Sequence, residues 1–116
     1  MSVRTSPDSD LLTVIFEFDI EAEEQQPLRE GVERLIREVL SRQPGFVAAH
    51  LHVSRDHQKV LNYLQWESLE AFERFCGDED EQRRMRPIIG PYGPRQRVYD
   101  VVYVTGTQRP PPTNRS

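Results

Sequence analysis

Phe46 to Glu67, FVAAHLHVSRDHQKVLNYLQWE, is the stretch whose reading decides the fold. Two runs of β-branched, aromatic and aliphatic residues flank the polar segment Ser54-Arg55-Asp56-His57-Gln58. Such runs separated by a short polar turn predict strands over 46–53 and 59–67, paired as an antiparallel hairpin. Side chains alternate along a strand, so Asn62, Leu64 and Trp66 share one face. A buried amide and a buried indole N–H both require partners. The combination predicts a mostly apolar cavity wall with a few fixed hydrogen-bonding groups, which describes a small-molecule site. With a five-residue turn, Val53 opposes Lys59. That register sets His50 against Asn62 and Phe46 against Trp66 on one face, and a slip of one residue would reverse the relation.

Outward from the hairpin, Leu11 to Ile20 (LLTVIFEFDI) reads as a strand with Leu12, Val14, Phe16, Phe18 and Ile20 on one face. Leu11, Thr13 and Ile15 give its other face partial apolar character. Glu23 to Ser41 switches to helical spacing, with Leu28, Val32, Leu35, Ile36 and Val39 on one stripe and Pro27 in the first turn. Pro44-Gly45 ends that unit. After the hairpin, Ser68 is a suitable N-cap for a second helix whose stripe is Leu69, Phe72, Phe75 and Cys76. Gly77 interrupts it. Asp78, with Glu81 in the capping-box position, starts a continuation that carries Arg83, Arg84 and Arg86 and stops by Pro87. Gly90-Pro91-Tyr92-Gly93-Pro94 is a rigid loop, and Arg97 to Thr105 is the last strand. The order strand, helix, strand, strand, helix, strand predicts an α+β, ferredoxin-like βαββαβ domain. It has a four-stranded antiparallel sheet with both helices on one face. Its span is residues 10–106, between a flexible N-terminus (1–9) and a disordered proline-rich tail (107–116).

The bulk properties bound the function. A chain of 116 residues points to one domain. A net charge of −4 argues against a nucleic-acid partner. No apolar run approaches a membrane span, no signal peptide opens the chain, and the single cysteine, Cys76, cannot form an internal disulfide. A cytoplasmic location is the expectation. No Cys/His cluster has metal-ligand spacing and no Gly-rich phosphate loop is present, so neither metal nor cofactor is expected. Both sheet faces carry apolar groups while the helices cover only one. A homodimer through the sheet faces is therefore expected, with Tyr63, Tyr99 and Tyr103 at the interface.

With these elements in place, the chain resembles the antibiotic biosynthesis monooxygenase family. The resemblance covers about residues 10–105. It rests on the element order, on Gln43-Pro44-Gly45-Phe46 and the Ser54-Arg55-Asp56 turn, and above all on Asn62-Tyr63-Leu64-Gln65-Trp66-Glu67-Ser68 followed by Glu70-Ala71-Phe72. The Asn-Tyr-x-Gln-Trp-Glu-Ser form is most similar to anthrone oxygenases of aromatic polyketide pathways. These are dimeric α+β barrels that oxidise a tricyclic phenol to a quinone with O2 and without metal or flavin. The resemblance implies that Asn62 and Trp66 line the pocket and contact substrate. It also implies an assisting arginine at the end of the second helix, for which Arg86 is the choice and Arg84 the second. Where the family pattern carries a tyrosine on that helix, this chain has Phe72, so no phenol acts from that position.

The implied chemistry requires a base, donors to a developing oxyanion and a dry pocket. Asn62 and Trp66 are neutral donors, and Arg86 stabilises negative charge. His52, and after it His50, is the candidate base, because imidazole titrates near neutrality. Phe72, Leu64 and Phe16 are candidate walls, and Tyr92 lies in a loop placed to cover the pocket. Each has a plainer reading. Trp66 and Phe72 also suit a packed core, the histidines a surface, Arg86 a solvated helix face, and Cys76 a buried, inert site. The expected function is oxidation of an aromatic polyketide, an anthrone-type phenol, to a quinone in antibiotic or pigment biosynthesis. The alternatives are a polyketide cyclase of the same fold, a quinol oxygenase and a non-catalytic ligand-binding dimer. Heme binding is disfavoured, because no histidine lies between Ser68 and Pro87.

Overall fold

The computed structural model describes residues 11–106. The expectations for residues 1–9 and 107–116 fall outside that range. Strand β1 (Leu12–Asp19) leads through a short 3-10 turn into α1 (Gln25–Glu38). A second 3-10 turn (Leu40–Arg42) precedes β2 (Phe46–Val53) and β3 (Lys59–Trp66). Helices α2 (Leu69–Cys76) and α3 (Glu79–Ile89) follow, then a 3-10 turn (Gly90–Tyr92) and β4 (Arg95–Asp100). The strands form one antiparallel sheet in the order β2-β3-β1-β4. This is the ferredoxin-like arrangement expected from the element order.

Alternation along the strands divides the sheet into two faces. Leu12, Val14 and Phe18 of β1 and Val60, Leu64 and Trp66 of β3 are buried with Leu28, Val32 and Leu35 of α1 and Phe72 and Phe75 of α2. The other face carries Ile15, Leu61, Tyr63, His50 and His52, and no described helix packs on it. Pro44-Gly45 makes the turn into β2. Gly45 has φ +84°, a Cβ there would lie 2.4 Å from Ala71 Cβ, and its carbonyl accepts from Glu67 N–H at 2.7 Å. Only glycine fits both demands. The Ser68 hydroxyl accepts from Ala71 N–H, and Asp78 caps α3 by accepting from Glu81 N–H.

Several boundaries depart from the sequence reading. The first helical stretch is not continuous over 23–41, since both of its ends tighten into 3-10 turns. Helix α3 does not stop at Pro87 but runs to Ile89. Pro87 and Arg83 are both exposed, so the carbonyl that loses its intrahelical donor reaches water, and burial of Ile89 holds the last turn. The last strand begins at Arg95 and ends at Asp100, because its neighbour β1 begins at Leu12, opposite Asp100. Val102 and Tyr103 extend past it, 88% and 78% exposed. On α2, Leu69 and Cys76 are exposed, and Ala71 is the residue that joins Phe72 and Phe75 in the core. Cys76 is therefore not buried. Partial desolvation, then the Glu73 charge, pushes its thiol up, away from the reactive thiolate.

The largest departure is the hairpin register. Phe46 does oppose Trp66, but a β-bulge between Phe46 and Ala48 shifts everything beyond it. His50 opposes Tyr63, Leu51 opposes Asn62, and Val53 opposes Val60. The extra residue changes the parity of the rest of β2.

Candidate active site

Asn62 and Trp66 point from β3 toward the helices and are 4% and 0% exposed. Their cross-strand neighbours cannot satisfy them. Asn62 lies between Phe16 on β1 and Leu51 on β2, and Trp66 between Leu12 and Phe46. Asn62 Oδ1 and Trp66 Nε1 are both buried without a hydrogen-bond partner among the described residues. Each such atom costs roughly 1–3 kcal/mol. An acceptor and a donor left open on one wall mark a place where a polar ligand atom completes the set.

Around the pair the wall is apolar. A small cavity of about 20 Å³ is bounded by Asn62, Leu64 and Trp66 of β3, Phe16 and Phe18 of β1, Val32 and Leu35 of α1, Leu40, Phe72 and Phe75 of α2, and Met85 and Ile89 of α3. Trp66 is fixed on three sides. It stacks on Phe75 at 5.4 Å, lies 5.9 Å from Phe72, and meets Phe46 edge to face at 5.5 Å. None of the lining residues ionises, so proton transfer inside this cavity falls to no side chain of the described residues.

A second cleft of about 220 Å³ opens beside it, between α3 and the β1–β4 edge. Gln82, Arg86 and Gln96 give it polar groups, and Phe16, Met85 and Ile89 are common to both spaces. Arg86 reaches across the surface to Glu79 at 3.5 Å and stays largely exposed. Arg84 pairs instead with Glu81 and lines a separate surface groove with Asp80 and Arg83, so of the two arginines Arg86 stands beside the cavity.

The sequence-predicted residues are thus divided. Asn62, Trp66, Leu64, Phe16 and Phe72 meet at one cavity, and Arg86 stands at its neighbour. His52 and His50 do not join them. The bulge turns both imidazoles to the uncovered sheet face, where they flank Tyr63 at 6.4 and 6.1 Å, so neither serves as base at the Asn62–Trp66 pair of the same chain. Tyr92 is half-buried against the core and lines neither space, because the 3-10 turn over 90–92 folds it under. Sequence reasoning missed Gln82, Met85 and Ile89. Their spacing puts them on one helical face with Arg86, a signal obscured by ending the helix at Pro87. Gln96 was missed because the last strand was started at Arg97, two residues too late.

Among the described residues no cluster of His, Cys, Asp and Glu has the geometry to hold a metal ion, and no helix is long and apolar enough to cross a membrane.

The chain is thus a ferredoxin-like α+β domain with an apolar cavity and an unpartnered amide–indole pair between sheet and helices, a candidate small-molecule site. The chain belongs to the antibiotic biosynthesis monooxygenase family, whose profile matches residues 11–85. It is 37% identical over 73 residues to the tetracenomycin-F1 monooxygenase of Streptomyces glaucescens, an alignment covering 63% of this chain and 65% of that protein. The chain thus spans about two thirds of the length of that curated relative, a little under that fraction. Among solved structures it is similar to the Streptomyces coelicolor monooxygenase from the gene ActVA-Orf6, in complex with nanaomycin D. The TM-score is 0.69, with 24% identity over 91% of this chain and 96% of that one. It is also similar to SnoaB, a cofactor-independent oxygenase from Streptomyces nogalater, with a TM-score of 0.69 and 19% identity over 85% of this chain and 97% of that one. At these identities the two structures speak to the fold.

Proposed function

We propose that this protein is a cofactor-independent oxygenase that converts an aromatic polyketide, an anthrone-type phenol, to a quinone with O2. The observation that carries the reading is the pair of unpartnered atoms, Asn62 Oδ1 and Trp66 Nε1, set in an otherwise apolar cavity. Membership of the monooxygenase family and the likeness to a protein named for monooxygenation of tetracenomycin F1 support it.

The substrate supplies the electrons. Loss of a proton from the anthrone methylene gives a delocalised anion, which passes one electron to O2. The substrate radical and superoxide combine at the same carbon, the peroxide takes up a proton, and loss of water leaves a carbonyl. One O2 is consumed, one oxygen atom stays in the quinone and the other leaves as water. Trp66 N–H donates to the developing oxyanion and Asn62 orients the ring hydroxyls. The Arg86 guanidinium beside the cleft favours the ionised substrate. Because no ionisable side chain lines the cavity, the proton leaves through the cleft toward water, and the substrate's own acidity takes the place of a strong protein base. The apolar wall keeps water from the anion and the radical pair. We further infer a homodimer in which the uncovered sheet faces of two chains pack together.

The test is O2 uptake by chelator-treated protein given dithranol, with quinone followed by absorbance. Catalysed uptake of one O2 per quinone, insensitive to chelator, is the expected result. Binding of the anthrone with no uptake above the spontaneous rate would reject oxygenation.

A further inference from the structure

We propose that Met85 controls passage between the α3–β4 cleft and the buried Asn62–Trp66 pair, and so sets the size of aromatic ring system that the site admits. Neither space alone holds a tricycle, since ligand pockets run to roughly 300–1,000 Å³. The inner cavity is about 20 Å³ and the outer cleft about 220 Å³. Three side chains line both: Phe16, Met85 and Ile89.

The three differ in what they can do. Phe16 sits in the middle of β1, whose backbone is paired on both sides, with Asn62 and with Gln96. Ile89 is β-branched and stiff at its first torsion. Met85 is 7% exposed, unbranched, and has three rotatable bonds beyond its Cβ-bearing backbone. The helix that carries it cannot shift toward α1. A Cβ at Gly31 of α1 would already lie 2.8 Å from Ile88 Cγ2, so the two helices are in close contact next to the partition. Opening by rotation of the Met85 side chain leaves the backbone where it is. It joins the apolar cavity to a cleft whose Gln82, Arg86 and Gln96 suit the oxygen-rich rim of a phenolic ring system.

The size-selection part rests on the proposed oxygenase function, whereas the access part does not. Trp66 is the only tryptophan, so its fluorescence reports access directly. The experiment is acrylamide quenching of the wild type, Met85→Ala and Met85→Leu, each checked for native circular dichroism. Removing the flexible side chain should raise the quenching constant about threefold, and the stiffer, branched Leu should lower it about twofold. With dithranol as substrate and a bulkier four-ring phenol beside it, Met85→Ala should lower KM for the larger one with little change in kcat. Identical quenching in all three folded proteins overturns the proposal. If Met85→Ala does not fold, unchanged quenching in Met85→Leu does so alone. Altered quenching with no O2 uptake on any phenol would keep Met85 as the partition and reject the oxygenase reading. O2 uptake with unchanged quenching would do the reverse.

Discussion

Trp66 of β3 and Phe75 of α2 stack with ring centroids 5.4 Å apart and planes 28° from parallel. The contact joins the sheet to the helix layer and fixes the indole, whose Nε1 is buried without a partner in a residue that lines the cavity. Replacing Phe75 removes both a large buried side chain and the support of the indole. Phe75→Ala is expected to cost about 3–5 kcal/mol, read by urea denaturation, and to broaden and red-shift Trp66 emission in the protein that remains folded.

Asn62 presents the opposite balance. Its carbonyl oxygen is buried and unpartnered, so an apolar residue of similar size removes a penalty rather than a bond. Asn62→Leu should leave stability within about 1 kcal/mol of wild type or raise it, while turnover on dithranol falls. Trp66→Phe keeps an aromatic ring and deletes the N–H, and should lower kcat by about 10²-fold in a protein with native circular dichroism. Normal rates in both variants would remove the site assignment.

Glu17 and Asp19 share Lys59 and Arg95 on the sheet surface. The hydrogen bond from Lys59 first, then that from Arg95, holds Glu17 below its usual value of 4.5. The Lys59 hydrogen bond, followed by the Arg95 charge, holds Asp19 below 3.8. Both carboxyls bind protons more weakly folded than unfolded. Their contribution is present above those ordinary values and is lost as pH falls through the lower folded ones. The cluster lies on the same sheet face as Ile15 and in the single chain faces solvent, so there the effect is small and screened by salt. Thermal unfolding between about pH 5 and pH 3 should therefore fall more steeply in wild type than in a Glu17→Gln/Asp19→Asn variant at low salt. The difference should shrink at high salt.

Gly45 faces two constraints, a positive φ and the proximity of Ala71. Gly45→Ala is expected to destabilise by more than about 1–2 kcal/mol, measured by denaturant titration. A milder loss would show that the turn can relax away from α2.

The uncovered sheet face carries Ile15, Leu61 and Tyr63, with His50 and His52 beside them. If two such faces pack together, a charge at the centre of the sheet is unpaired and desolvated. Ile15→Arg should convert a dimer to a monomer in sedimentation while the circular dichroism persists. A wild type that sediments as a monomer at micromolar concentration would reject the sheet-to-sheet dimer.

The sequence by itself determined the element order, the ferredoxin-like class, both helix caps at Ser68 and Asp78, and the shared face of Asn62, Leu64 and Trp66. These follow from local periodicity and capping chemistry, which depend on neighbours a few residues away. The tertiary structure alone decided where the histidines lie. One extra residue at the Phe46–Ala48 bulge changes the parity of the rest of β2, and a bulge is a property of how two strands pair rather than of any pattern within β2. The same holds for the end of α3, where Ile89 gains enough by burial to carry the helix past Pro87, and for the end of β4, which stops where β1 begins. Met85 joins the candidate site only through the tertiary packing of α3 against α1 and α2, which brings it to the same cavity as Phe16 of β1, because contacts between distant segments have no local signature.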